Sequence, residues 1–177
     1  MAEPDAPQLY LVSPSEFEPS AFAERLAPVL DARPVACVRL ALATRDEHRL
    51  IRAADAVRDV TEPRDVALVI AEHVGLAGRL GLDGVHLDGP RGVRAARKAL
   101  GADAIVGAHC GVSRHDGMTA GEAGADYVAF GPCSGAGLGD GTIAEPELFA
   151  WWSEMIEVPV VAEGGLDAET IGALWDR

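Results

Sequence analysis

The chain has 177 residues, 49% of them hydrophobic, with a net charge of −13; that is enough apolar material for one domain with a sizeable core, and the acidic balance excludes non-specific attraction to nucleic acid or an anionic membrane. No apolar run approaches the roughly 20 residues that a membrane span needs. Cys37, Cys110 and Cys133 make no disulfide framework or CxxC metal pattern, and MAEPDAPQLY has neither a basic n-region nor an apolar h-region, so a soluble, reducing, cytoplasmic protein is expected.

Leu9-Tyr10-Leu11-Val12, closed by Ser13-Pro14, reads as the first strand. A helix follows, with Ser20 as its N-cap and Phe22, Leu26, Val29 and Leu30 spaced for one buried face. Residues 35–42 form the second strand; Thr44 and Glu47 then make a capping box for a helix with apolar positions Leu50, Ile51, Ala54 and Val57. Residues 66–71 are a continuous apolar run, as in parallel strands buried on both faces. A short helix over 74–81, a strand over 85–87, a basic helix over 91–100 and a strand over 105–108 follow. A glycine-interrupted helix over 116–124 leads to a sixth strand at 127–130. Residues 131–144 read as a glycine-rich loop. Pro146 starts a helix carrying Trp151, Trp152 and Ile156; residues 158–162 are the seventh strand, and Asp167 caps a last helix running toward Trp175.

No linker or charge run divides the chain, so one domain over 1–177 is expected. The β-α alternation points to an α/β fold, a TIM (β/α)8 barrel, with its chemistry where the strands end. Seven β-α units can be counted, and the eighth is missing from the sequence, whereas a closed barrel typically takes about 250 residues. An open seven-strand barrel would expose the edges of its first and last strands. A C-terminal tail beyond Arg177, closure by a partner chain in a homo-oligomer, and an open sheet are the three explanations; the first is favoured.

The strand ends supply the candidate site residues. Gly164-Gly165, after the seventh strand, fit either a phosphate-holding turn or a plain tight turn. Glu163 ends an apolar strand, where a carboxylate is costly unless it faces the mouth of the barrel; a general base and a solvated loop carboxylate are both open. Alternation in Gly84-Val85-His86-Leu87 turns His86 inward, as a buried structural histidine more often than a catalytic one. Asp88, Glu72 and His109 stand at neighbouring strand ends, enough for a hydrogen-bond network or a weak metal site. Arg39, in an apolar strand, is a cation to pair with an anion, on a ligand or on a neighbouring carboxylate. Arg91, Arg94, Arg97 and Lys98 read as a solvated helix face, and the tryptophan pair as helix packing.

Taken together, G-L-D-G-V-H-L, I-V-G-A-H-C, G-A-D-Y-V-A-F-G-P and V-P-V-V-A-E-G-G-L resemble thiamine-phosphate synthases and the related thiazole tautomerases, in order and spacing over most of 9–177. The resemblance implies a transferase of thiamine biosynthesis that joins a pyrimidine diphosphate to a thiazole phosphate, so its partner is a small phosphorylated heterocycle. It also implies Mg2+ as cofactor. Of the family's Q-x-R-x-K only Arg39 remains, and the metal-binding N-D becomes Ala71-Glu72, leaving Glu72 as the metal residue. His86 is kept, with Asp88 beside it, while Arg91 replaces the second metal aspartate. His109 replaces a phosphate-binding serine, residues 134–139 lack the family's lysine and threonine, and Pro132 stands at the tautomerases' histidine. Gly164 and Gly165 match the phosphate-binding glycines. The resemblance therefore implies a divergent member with a weakened Mg2+ site. Arg39, His109 and Glu163 are its catalytic candidates, and Arg39, His86, Asp88, Gly164 and Gly165 its substrate and phosphate contacts. The alternatives are a non-catalytic binder of a phosphorylated thiazole or pyrimidine, and an isomerase using His109 or Glu163 for proton transfer.

Overall fold

The structure, a computed structural model, describes residues 7–135 and 141–175. The centre of the expected glycine-rich loop, 136–140, lies outside the described residues, as does the start of the N-terminal segment. Strands β1 (Leu9–Val12), β2 (Val35–Leu40), β3 (Ala67–Ala71), β4 (Gly84–Leu87), β5 (Ile105–His109), β6 (Tyr127–Phe130) and β7 (Val160–Ala162) alternate with helices. The helices are α1 (Pro19–Ala32), α2 (Glu47–Thr61), α3 (Val74–Leu80), α4 (Val93–Leu100), α5 (Arg114–Glu122), α6 (Pro146–Met155) and α7 (Ala168–Trp175). The strands hydrogen-bond in chain order, β1 through β7. No described helix is long and apolar enough to cross a membrane. The chain divides into two compact units, Met1–Val85 and His86–Arg177.

In the first unit β1, β2 and β3 pair in parallel. Val38, Leu40, Leu68, Val69 and Ile70 are buried here, as are Leu50, Ala53, Ala54 and Val57 of α2. Two caps differ from the sequence expectation. Pro19, with its fixed φ, takes the first turn of α1, so Glu18 is the N-cap and accepts from the N–H groups of Ser20 and Ala21. The buried face of α1 is Ala23, Leu26 and Leu30, with Val29 exposed. For α2 the cap is Asp46, which accepts from Arg49 N–H at 3.2 Å. Glu47 then falls in the first position, too early to close a capping box with Thr44, whose hydroxyl instead accepts from Asp46 N–H. Strand β2 stops at Leu40 because the next amide, Ala41, leaves the ladder for the Ser13 hydroxyl at 2.9 Å.

In the second unit β5, β6 and β7 pair in parallel. Phe130 and Trp152 are fully buried and meet edge to face, with ring centroids 5.1 Å apart; the Trp152 indole donates to Val158 O at 2.7 Å. The expected helix packing role of Trp152 is what the structure holds.

Each unit contains the same helix-to-strand joint. In the first, α3 ends at left-handed Gly81 (φ +63°), and Leu82 N–H reaches back to Ala77 O at 3.0 Å. Asp83 then donates to Leu68 O at 3.0 Å and accepts Leu68 N–H on its carboxylate at 2.7 Å. In the second, α5 leads to left-handed Gly124 (φ +104°), and Ala125 N–H reaches Ala120 O at 3.0 Å. Asp126 donates to Val106 O at 2.7 Å and accepts Val106 N–H at 2.8 Å. Glycine relieves the left-handed turn, and the aspartate satisfies the amide of the second residue of the preceding strand. The signal, A-G-x-x-G-x-D at 77–83 and 120–126, is an internal repeat that the strand-by-strand reading passes over.

Arg91, Arg94 and Lys98 are exposed, as a solvated face requires, and Arg97 alone departs from that reading. Its guanidinium binds the carbonyls of Gly101, Ala102, Ala104 and Gly124 and pairs with Asp126, tying the end of α4 to two loops. Asp126→Ala, which strands the Val106 amide and releases Arg97, is expected to lower unfolding stability by about 1–3 kcal/mol, read from urea denaturation with an unchanged slope.

Candidate active site

In the first unit Arg39 lies half-buried on β2, opposite Val12 of β1 and Val69 of β3. Its guanidinium sits 5.6 Å from the centroid of the Tyr10 ring, within cation–π range. Two residues earlier, on the same face, burial pushes the Cys37 thiol up to about 12. Glu72 follows the last residue of β3 and is exposed, with a left-handed backbone (φ +66°) unusual for a residue other than glycine. His73 N–H closes on Ala71 O at 2.9 Å across it, a tight three-residue turn.

In the second unit His86 is 5% exposed, and its Nδ1 lies 2.8 Å from the Tyr127 hydroxyl, with the two rings stacked 5.7 Å apart. These residues stand on β4 and β6, with β5 between them. The pair meets because residue 107 is glycine: a Cβ there would lie 2.0 Å from the Tyr127 ring. Sequence reasoning found His86 and missed both Tyr127 and Gly107. The signal was a lone glycine inside the apolar run Ile105-Val106-Gly107-Ala108. Asp88 is exposed beyond the end of β4.

His109, at the end of β5, and Glu163, just past β7, come together: Nδ1 to Oε1 is 2.7 Å, with side chains 29% and 16% exposed. Again one strand lies between, and again a glycine clears the way. A Cβ on Gly131 would lie 3.3 Å from Glu163 Cγ and 2.0 Å from its carbonyl oxygen. Backbone bonds to the end of β6 and the residues after it fix the end of β7, with Glu163 N–H on Phe130 O at 3.0 Å and Cys133 N–H on Gly164 O at 2.7 Å.

Close approach accounts for both strand-seven glycines. Gly164 (φ +83°) has room for a Cβ only 3.0 Å from Pro132 Cα, and at Gly165 (φ +68°) a Cβ would meet Ser134 Oγ at 2.2 Å. That hydroxyl donates to Gly165 O at 2.8 Å. Asp167 then caps α7 as expected, accepting Thr170 N–H at 2.8 Å, and this bond holds its carboxyl below the usual range. Among the described residues no three His, Cys, Asp or Glu side chains group to hold a metal ion.

The model of the family described as thiamine monophosphate synthase matches residues 9–177. The chain belongs to the thiamine monophosphate synthase family. The thiamine-phosphate synthase of Rhodospirillum centenum is 48% identical over 167 residues, 92% of this chain and 80% of the relative. That of Erythrobacter litoralis is 41% identical over 173 residues, 94% and 81% of the two chains. Among solved structures, thiamine phosphate pyrophosphorylase from Pyrococcus furiosus superposes with a TM-score of 0.80 at 22% identity, over 96% of this chain and 80% of that one. At that identity the likeness speaks for the fold, the family's TIM-type barrel, and the seven β-α units agree with it.

Two measurements check this geometry. Gly107→Ala forces the Tyr127 ring aside and is expected to destabilise by about 1–3 kcal/mol, read by denaturation. Burial holds the Cys110 thiol up at about 12, like Cys37, and raises Cys133 as well. Cys37 and Cys110 are buried and Cys133 is half-buried. A thiol-reactive probe at pH 8 is therefore expected to spare Cys37 and Cys110 in the folded protein, to reach Cys133 first, and to label all three after unfolding.

Proposed function

We propose that this protein is a thiamine-phosphate synthase-type transferase that couples a pyrimidine diphosphate to a thiazole phosphate in thiamine biosynthesis, in the cytoplasm. The observation that carries this reading is 48% identity across 92% of the chain to a relative named for that activity. In such a coupling the diphosphate leaves as positive charge builds on the pyrimidine methylene carbon, and the thiazole nitrogen attacks that carbon. The protein's work is to hold the leaving group and align the two rings. Arg39, a half-buried cation at the end of an apolar strand, suits the anionic leaving group. His86 and Asp88, around the end of β4, and the Gly164-Gly165 turn are the remaining substrate contacts of the reading.

Mg2+ is commonly bound by one or two carboxylates together with substrate phosphates, and bound in that way it would neutralise diphosphate charge. Glu72, exposed on its tight turn, fits a single-carboxylate share of such a site. The described residues contain no cage of three acidic or histidine ligands, so no step is assigned to the metal.

The test supplies both substrates with Mg2+ and measures thiamine phosphate. Steady turnover is expected, and Arg39→Ala should lower it about 10- to 100-fold, corresponding to a charged hydrogen bond worth about 1.5–3 kcal/mol. Absence of product from the well-folded protein, with thiazole phosphate still binding by calorimetry, would replace this reading with that of a binder of phosphorylated heterocycles.

A further inference from the structure

We propose that the first unit holds a ligand site apart from the strand-end residues described above: a cavity between the starts of α1 and α2 that takes a small aromatic phosphate monoester. The cavity has a volume of about 640 Å³, within the range of small-molecule sites. Its wall comes from the loop after β1, the loop after β2 and the first two turns of α2. Phe17, Pro19, Leu42 and Ala53 make the apolar part. The Phe17 ring packs on Phe22, with centroids 4.3 Å apart and planes at 32°, and is thereby held in place to receive a second ring. Arg49 and Arg52, one helical turn apart, bring two guanidinium groups to the same cavity. Arg49 meets Glu16 at 3.3 Å, but these side chains are 51% and 81% exposed, and such a pair yields readily to a better-placed anion. Arg52 is exposed and pairs with no acidic group among the described residues. Glu18, the other acid of the wall, is already committed, because its two carboxylate oxygens accept from the Ser20 and Ala21 amides. A phosphate accepts from a guanidinium through two parallel hydrogen bonds, while the ring attached to it covers Phe17 and Leu42.

Backbone bonds hold the floor of this cavity in place before any ligand arrives. Ala43 N–H donates to Ser15 O at 2.9 Å and joins the two loops. Ser13 fixes their roots: its N–H donates to Arg39 O at 2.9 Å, and its hydroxyl accepts from Ala41 N–H at 2.9 Å. A ligand therefore enters without the cost of ordering the loops that receive it. Neither Arg39 nor Tyr10 lines the cavity, so the site is distinct from the cation assigned to the diphosphate, and it stands whether or not the coupling reaction does.

Phenyl phosphate is titrated into the nitrogen-15-labelled protein at physiological salt, and the amide shifts are followed by NMR. Saturable shifts are expected in the loop after β1, the loop after β2 and the start of α2. Benzyl alcohol keeps the ring without the charge, and inorganic phosphate keeps the charge without the ring; each should bind about 10-fold more weakly or worse. Arg52→Ala should weaken phenyl phosphate by about 10- to 100-fold, with part of the loss recovered in Arg52→Lys. Ala43→Leu, at an exposed position on the floor, should obstruct binding while the melting temperature stays unchanged. Absence of saturable shifts, shifts centred on Tyr10 and Arg39 instead, or an Arg52→Ala variant that binds like the wild type would each overturn the proposal. Equal binding of phenyl phosphate and inorganic phosphate would overturn the ligand class. Displacement of phenyl phosphate by thiazole phosphate supports the site with the coupling substrate as its ligand, and retention supports it with a different aryl phosphate.

Discussion

Side chains two strands apart in a sheet can touch only where the strand between them carries almost nothing. Neighbouring strands lie about 4.8 Å apart, so the next but one is nearly 10 Å away. An intervening side chain on the same face fills that gap. Both polar pairs of the second unit meet this constraint with glycine. Tyr127 crosses β5 over Gly107 to reach His86, and the His109–Glu163 contact crosses β6 beside Gly131. The two glycines thus do more than ease a turn: they decide which polar groups can meet.

The two pairs are chemically different even though they are built alike. His86 and Tyr127 are both buried, 5% and 8% exposed, so their hydrogen bond satisfies groups that would otherwise be stranded in the interior. His109 and Glu163 stand at the strand ends and remain partly open to solvent. One pair is enclosed in the interior, and the other lies where solvent reaches it.

Much of the framework could be read from the sequence because parallel strands are written as short apolar runs. The first and sixth strands have the limits that the apolar runs give them, and the others differ at one end by a residue or two. Ser13 drawing away the Ala41 amide is one such case, and no apolar pattern records it. The caps of α1 and α2 were misplaced because several side chains near each helix start can accept a hydrogen bond, and only backbone geometry selects Glu18 and Asp46. Arg97 reads as a surface charge because all its partners but Asp126 are carbonyls, which have no letter in a sequence. His109 and Glu163 both stand out singly in the sequence as candidate positions. Their pairing does not, since it depends on register across three strands and on a glycine in the middle one.

The aspartate joints at Asp83 and Asp126 lie at the entry ends of their strands, while Glu72, His109 and Glu163 lie at the exit ends. Through the amides of Leu68 and Val106 the same aspartates also anchor the starts of β3 and β5, the strands that end at Glu72 and His109. A strand held at its entrance tolerates exchange of the residue at its exit, because little of the folding free energy is invested there. Such a chain can trade a serine for a histidine, or an aliphatic residue for a carboxylate, and still fold. New chemistry is then open to it through single substitutions, without a rebuilt scaffold.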